Sequence, residues 1–277
     1  MKKSIVWLAS YPKSGNTWLR IFLANYLANT PSPLSINQVH RFGIGDSISR
    51  TYHMVAGRQI DLNDANLTLG LRDKVLRGIV ANNADVNFVK THNIRGHAMG
   101  VEMIPAKYSR SAIYILRNPL DMLLSYARHY ALSPEEAVKA IASSENANAA
   151  DPTTVWQFLG SWSEHVKSWT QGTGFPVLAL RYEDMLENPQ EEFSKALEFI
   201  GVTPEAERLD KAIKFSSFDE LSKQEAEKGF AEKSPNSEKF FAKGSAGQWK
   251  TDLAPELIDR VRRDHKRLMK KYGYYSV

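Results

Sequence analysis

Nine residues, Ser10-Tyr-Pro-Lys-Ser-Gly-Asn-Thr-Trp18, constrain what this chain can become more than any other stretch of it. They follow a short apolar run, Ile5-Val-Trp-Leu-Ala9. They lead into apolar residues at helical spacing: Trp18, Phe22 and Tyr26, with Leu19, Leu23 and Leu27. This pattern predicts a strand, a tight turn carrying Lys13 and Gly15, and a helix N-terminus. Backbone N–H groups left over in a first helical turn, the positive end of the helix dipole and one lysine together make an anion site suited to phosphate. The order of residues matters. A Walker A loop reads G-x-x-x-x-G-K-[ST], with lysine after the last glycine, whereas here Lys13 precedes Gly15. The loop therefore predicts a phosphate cradle of a different kind from that of ATPases and GTPases.

Further strands follow. Val86-Asn-Phe-Val89 runs into Lys90-Thr91-His92, and Ser111-Ala-Ile-Tyr-Ile-Leu116 runs into Arg117-Asn118-Pro119. Asn118 suits a helix N-cap and Pro119 the first helical position. Phe175-Pro-Val-Leu-Ala-Leu180 is a fourth strand, followed by Arg181-Tyr182-Glu183-Asp184, and a helix is expected near 68–80. Strands alternating with helices imply an α/β chain, read here as one domain over residues 1–277 with a central parallel sheet flanked by helices. In such sheets ligands gather at the carboxyl ends of strands. Lys13, then Lys90 and His92, then Arg117 all stand at those ends.

The residue types assign themselves chemical tasks. Lys13 to Thr17 form one anion site. Arg117, whose fork suits phosphate oxygens, forms a second with Ser125 on the helix that follows. An Arg117–Asp121 ion pair across the helix start is the plainer alternative. Trp18 offers a flat surface for a purine, and His92 is the natural general base because a histidine titrates near working pH.

Composition narrows the classes. Of 277 residues, 43% are apolar and 24% charged, the balance of an ordinary soluble protein. The chain has no cysteine, which excludes disulfides, thiolate nucleophiles and cysteine-held metals. No cluster with metal-ligand spacing is recognisable, so no metal is expected. Met1-Lys2-Lys3 and the apolar residues after them mimic a leader, but the apolar run stops at Tyr11-Pro12-Lys13. No stretch reaches membrane-spanning length, and the reading is a soluble, cytoplasmic protein without a membrane span. The net charge of +5 is mild. The basic run Arg260–Lys271 is read as a solvated helix face, so no nucleic-acid partner is expected. Ser133–Pro152 and Ser222–Gly247 are expected to be mobile; the second carries Phe240-Phe241 among polar neighbours, a feature often found in lids, and which loop closes as a lid is left open.

Five segments, in order, resemble a known family. Ser10–Trp18 is similar to the TYPKSGTTW loop of sulfotransferases that use 3′-phosphoadenosine 5′-phosphosulfate (PAPS). Arg117-Asn-Pro-Leu-Asp-Met-Leu-Leu-Ser125 resembles their R-N-x-x-D-x-x-x-S segment, and Lys90-Thr-His92 their K-T-H segment. Leu180-Arg-Tyr-Glu-Asp184 and Lys243-Gly-Ser-Ala-Gly-Gln-Trp-Lys250 resemble L-x-Y-E-D and R-K-G-x-x-G-D-W-K. The resemblance implies a P-loop-NTPase-like sulfotransferase fold, PAPS as co-substrate and PAP as product. It implies donor contacts from Lys13, Ser14, Gly15, Asn16, Thr17, Trp18, Arg117, Ser125, Tyr182, Ser216, Phe218, Lys243 and Gly244, with Trp18 and Phe218 on either face of adenine. It further implies that Lys13 stabilises the departing phosphate, that Lys90 neutralises sulfuryl oxygens, and that Ser125 restrains the Lys13 ammonium. His92 would take the proton of a small-molecule or glycoconjugate acceptor.

The chain departs from the family in places. Ala242 stands where the family has arginine, Asn16 replaces a threonine, and Gln248 replaces an aspartate. The dimer motif K-x-x-x-T-V-x-x-x-E is missing, since Lys250 is followed by Thr-Asp-Leu-Ala-Pro, so the oligomeric state does not carry over. Two rival functions make different demands. A nucleotide-dependent kinase needs an aspartate at a central strand end and Lys-[Ser/Thr] after the loop glycine. A non-catalytic polyanion binder would work through the basic C-terminus and ignore Lys13 and His92.

Overall fold

Six consecutive buried residues, Ile5–Ser10, form the strand from which the rest of the architecture is laid out. In the computed structural model, residues 4–235 and 237–276 are described; Met1, Lys2 and Lys3, the cationic start of the leader-like segment, lie outside them. In chain order the first elements are β1 (Ile5–Ser10), α1 (Asn16–Ala28), a short 3-10 helix (Ile36–Arg41), β2 (Ile44–Gly45), α2 (Ser49–Ala56) and α3 (Ala65–Val80). β3 (Asn87–Thr91) precedes a small antiparallel pair, β4 (His97–Ala98) and β5 (Val101–Glu102), and then β6 (Ser109–Leu116). α4 (Pro119–Tyr130) and α5 (Pro134–Ala142) precede a second such pair, β7 (Ala147–Asn148) and β8 (Gln157–Phe158), and α6 (Trp162–Thr170). After β9 (Val177–Arg181) only helices follow: α7 (Tyr182–Glu187), α8 (Pro189–Phe199), α9 (Ala206–Phe215), α10 (Phe218–Lys228), α11 (Trp249–Asp252), α12 (Pro255–Asp264) and α13 (Lys266–Lys271).

The central parallel sheet, flanked by helices, has the strand order β2-β3-β1-β6-β9. β1 runs alongside β3 with Ile5 opposite Asn87 and Ala9 opposite Thr91, and β2 adds Gly45 opposite Lys90. From β1 the chain first crosses to β3 on one side, then to β6 on the other. A strand at which the order reverses is where an α/β sheet opens a crevice at its carboxyl end, and at β1 that end carries the loop after Ser10. β6 is buried at seven of its eight positions, as a strand covered on both faces must be. β9 begins at Val177, later than its apolar run suggests, because Pro176 has no N–H for a ladder; its carbonyl instead accepts from the Ala112 N–H at 3.0 Å.

The chain forms two compact units. The first comprises the residues up to Tyr11, Gly43–Tyr114 and Ala140–Ala179. Its core holds Trp7 edge-on to Trp169 at 6.5 Å and Tyr114 stacked on the same ring at 6.1 Å, with the Trp7 indole N–H donating to Ser109 Oγ. The second comprises Pro12–Phe42, Ile115–Lys139 and the residues from Leu180 onward. Here Phe22 stacks on Phe193 at 3.9 Å, and Ile21, Ala24, Ile36, Val39, Leu221 and Phe230 form a buried cluster. Asn118 caps α4 by accepting the Leu120 N–H, with Pro119 in the first turn, as the sequence predicts.

Two expectations change. Ser133–Pro152 is no structureless loop: it contains α5, and Ser133 exchanges hydrogen bonds with Glu136 at its start. Ser222–Lys228 completes α10. The basic run Arg260–Lys271 does form helices, with Val261, Leu268 and Met269 buried, which accounts for its amphipathic spacing. Among the described residues no helix is long and apolar enough to cross a membrane.

Candidate active site

The loop after β1 owes its shape to two residues with left-handed backbone, Lys13 at φ 66° and Gly15 at φ 108°. At Gly15 glycine is required twice over. Its φ is strained for an L side chain, and a Cβ there would lie 2.7 Å from Cδ2 of Tyr182. Gly15 is the N-cap of α1; no side chain caps the helix and no acidic residue sits in its first turn. The helix thus presents its positive end and its first N–H groups without an anionic partner from its own turn. Ser14 is fully buried and its Oγ has no hydrogen-bond partner; Asn16 and Thr17 are buried beside it.

Arg117, directly after β6, ties the loop to a second segment. Its guanidinium donates to the Lys13 carbonyl at 3.2 Å and to the Ser245 carbonyl at 3.3 Å, and it lies 4.3 Å above the Tyr182 ring. Its Nε is buried without a partner. The Asp121 carboxylate accepts from the Gly247 N–H at 2.7 Å and the Trp249 N–H at 3.3 Å, anchoring the segment that contains Lys243 and Gly244. That is the plain explanation of Asp121. Ser125, half-buried, follows on α4. Gly244 has φ 59°, and a Cβ there would overlap the Phe218 ring. The Lys243 ammonium pairs with Asp252 at 2.8 Å.

Other predicted residues take structural contacts as well. Trp18 stands edge-on to Tyr182 at 5.7 Å and to Phe193 at 5.3 Å, and packs on the buried cluster of its unit. Ser216 is fully buried at the end of α9, its hydroxyl donating back to the Ala212 carbonyl at 2.8 Å. Two contacts were not foreseen. The Lys13 ammonium lies 3.8 Å from the centre of the Phe240 ring, and the Glu225 carboxylate accepts the N–H groups of both Phe240 and Phe241. The segment expected to be mobile is thus clipped at its aromatic pair. Only the oddity of two phenylalanines among polar residues signalled this.

Lys90, Thr91 and His92 belong to the other unit, at the end of β3. His92 Nδ1 lies 2.8 Å from the Ser10 carbonyl. A carbonyl only accepts, so Nδ1 carries the proton and Nε2 is the basic nitrogen of the neutral ring. The His92 carbonyl in turn accepts from His165 Nε2 at 3.0 Å, which makes His165 Nδ1 the acceptor for the Tyr114 hydroxyl at 2.9 Å. Burial pushes the His165 pKa down to about 4, although the bond to the His92 carbonyl works the other way. His165 therefore stays neutral and keeps its donor aimed at His92.

The donor set of the loop and Arg117 is made of backbone N–H groups, hydroxyls, a guanidinium and an ammonium, with two buried polar atoms, Ser14 Oγ and Arg117 Nε, lacking protein partners. These residues fit a ligand bearing phosphates. The sequence placed Lys13 and Arg117 in one site, and they meet within one unit.

The family model described as the sulfotransferase domain matches residues 3–273. Sulfotransferase 1A1 of Canis lupus familiaris is 25% identical over 285 residues, 96% of this chain and 83% of that protein. Sulfotransferase 1E1 of Bos taurus is 26% identical over 287 residues, covering 95% and 82%. Among solved structures, mouse sulfotransferase SULT7A1 complexed with PAP superposes with a TM-score of 0.59 at 21% identity, over 99% of this chain and 90% of that one. Retinol dehydratase, solved with androsterone and PAP, superposes with a TM-score of 0.64 at 17% identity, over 98% and 82%.

Proposed function

The chain belongs to the sulfotransferase domain family, and from that membership we propose how its residues move a sulfuryl group from PAPS to an organic acceptor. The acceptor is a hydroxyl or an amine of a small molecule. Its oxygen or nitrogen attacks sulfur as the bond from sulfur to the 5′-phosphate oxygen breaks, and PAP departs with that electron pair. The acceptor's proton passes to Nε2 of His92. Sulfuryl transfer resembles loose phosphoryl transfer, with charge carried on peripheral oxygens, so the protein's task is mainly to position and neutralise.

Loop residues Lys13–Trp18 hold the 5′ side of the donor, with Lys13 placing its ammonium where charge grows on the leaving oxygen. Arg117 and Ser125 hold the 3′-phosphate, and Gly244 and Lys243 add contacts from the segment fastened to Asp121. Trp18 and Phe218 provide the adenine contacts, Tyr182 supports Arg117 from below, and Ser216 acts by ending α9 ahead of Phe218. Lys90 neutralises the migrating group. Residues 1–277 act as one sulfotransferase domain, and the setting is the cytoplasm, as the sequence reading has it.

The observation that carries this reading is the 3.2 Å bond from Arg117 to the Lys13 carbonyl, which joins the two anion-binding elements within one unit. A donor with a phosphate on each side of its ribose asks for that pairing. The mouse neighbour's complex with PAP supports the same ligand. The test is calorimetry with 3′,5′-ADP, 5′-AMP and ATP, followed by label transfer from ³⁵S-PAPS to a panel of phenols, alcohols and amines. Tight binding of 3′,5′-ADP, weak binding of 5′-AMP and metal-independent transfer are expected. Equal affinity for 3′,5′-ADP and 5′-AMP would remove Arg117 from its role.

A further inference from the structure

Beneath the Lys90-Thr91-His92 segment lies a buried ionic network that no part of the reaction as described employs. Asp46, next to β2, is 2% exposed and Arg72, on α3, is 1% exposed. One Asp46 oxygen accepts from Arg72 at 2.7 Å, from the Thr91 hydroxyl at 2.8 Å and from the Asn93 amide at 3.1 Å. The other accepts from the Ser47 hydroxyl at 3.0 Å. The Asp46 backbone N–H donates to the Lys90 carbonyl at 3.1 Å, and the Thr91 hydroxyl also accepts the Asn93 N–H at 3.0 Å. Arg72 spends its Nε on the Met103 carbonyl at 2.8 Å.

An ion pair this deep is a poor source of stability, because desolvating both charges costs about as much as their attraction returns. What it supplies is directional. One aspartate, held by a guanidinium, fixes the Lys90 carbonyl through its backbone N–H and the Thr91 and Asn93 side chains through its carboxylate, with His92 between the two side chains it binds.

We propose that Asp46 is a positioning residue for the sulfuryl-transfer reaction: with Arg72 it sets the backbone of Lys90-Thr91-His92 so that His92 Nδ1 meets the Ser10 carbonyl and Nε2 is left basic. The proposal rests on His92 as the general base. Asp46 acts through Thr91 and Asn93 and touches no reacting atom. Of the other side-chain anchors, two hold carbonyls, His165 on His92 and the Trp169 indole on Asn93 at 3.1 Å, while the Asn93 amide oxygen accepts the Phe158 N–H at 2.8 Å. A carbonyl anchor fixes a peptide plane, whereas the Asp46–Thr91 bond also fixes the end of the strand from which the imidazole projects.

The experiment reads the His92 tautomer directly and needs no acceptor. In full-length protein labelled with ¹⁵N-histidine, long-range ¹H–¹⁵N spectra distinguish an Nδ1–H ring from an Nε2–H ring, and the His92 pattern is the one that disappears in His92→Ala. Wild type is expected as the Nδ1–H form. Thr91→Val, which removes the hydroxyl without changing shape, is expected to give a mixture, and Thr91→Ser to restore the wild-type pattern. Asp46→Asn combined with Arg72→Met leaves no buried charge unpaired; it carries the same readout if Thr91→Val fails to fold, and the same mixture is expected. A pure Nδ1–H pattern in the chain lacking the Asp46 contact overturns the proposal. Failure of the general-base reading shows elsewhere, as retained label transfer from PAPS in His92→Ala.

Discussion

The Nδ1 proton of His92 is held on the Ser10 carbonyl at 2.8 Å, and Ser10 is the last residue of the strand whose next turn contains Lys13. A neutral imidazole with Nδ1 committed has its basicity at Nε2, the nitrogen a general base must offer.

His92→Gln should therefore leave donor binding intact while removing the proton acceptor. Turnover is expected to fall roughly 10²–10⁴-fold, the usual worth of positioned general-base catalysis. Calorimetry with 3′,5′-ADP should give the wild-type affinity. An equal loss of affinity and rate would mean that the histidine holds the loop and does not accept the proton.

Arg117 makes a different prediction. Among the described residues its hydrogen bonds go to neutral carbonyls and it lies over the face of Tyr182, while the Glu183 carboxylate feels its charge, so a phosphate would be its first anionic hydrogen-bond partner. Arg117→Ala should weaken 3′,5′-ADP by about 1.5–3 kcal/mol, a loss of roughly tenfold to a hundredfold. Affinity for 5′-AMP should change far less. Arg117→Lys should recover only part, since a lysine cannot reproduce the fork that bonds both carbonyls.

At Gly15 a methyl group is enough to test the loop. Gly15→Ala must adopt φ 108° and bring its Cβ to 2.7 Å from the Tyr182 ring. Backbone strain of this kind costs on the order of 1–3 kcal/mol. The thermal midpoint should fall, and 3′,5′-ADP affinity should fall further than stability, because the N–H groups around position 15 must turn to relieve the clash. Thermal unfolding with and without 3′,5′-ADP separates the two effects.

Much of this was legible in the residues. Lys13, Gly15, Arg117 and Asn118 announce themselves because each is the residue type that a special backbone conformation, a phosphate or a helix start demands. β1, β3, β6 and β9 were visible as apolar runs. β2 was not, since two residues have no period; nor were the short pairs β4–β5 and β7–β8. The family's membership removes the kinase and the polyanion binder that the sequence alone kept as rivals. What stayed hidden is long-range: Asp46 and Thr91 are ordinary in sequence and meet only because Gly45 lies opposite Lys90 in the sheet. Nothing in the sequence around Glu225 marks it as the acceptor of two backbone N–H groups from a segment expected to be loose.

That clip carries its own consequence. Glu225→Gln removes the charge and one of two acceptor oxygens facing Phe240 and Phe241. Hydrogen exchange at those two amides is expected to accelerate by roughly tenfold or more, in line with the loss of a charge-assisted bond. Exchange in β1 should be unchanged. Equal protection in the variant would show that the Phe230–Phe240–Phe241 aromatic contacts suffice to hold the segment.

Two buried histidines tie the stability of the fold to pH. Burial depresses both His165 and His265 from 6.5 to about 4, in the second case against the pull of Asp264. An unfolded histidine takes a proton near pH 6.5, whereas these two in the fold do not until about pH 4. Between those values the unfolded chain binds more protons than the folded one, so stability rises with pH across the window. The stabilisation is complete above pH 6.5 and drains away as pH falls toward 4, by roughly 3 kcal/mol for each ring. Urea unfolding measured from pH 7 to pH 4 should show that decline. His265→Gln should lower the proton uptake on unfolding at pH 5 by about one. An unchanged slope in that variant would mean that His265 is already protonated in the native protein, with its charge satisfied in place.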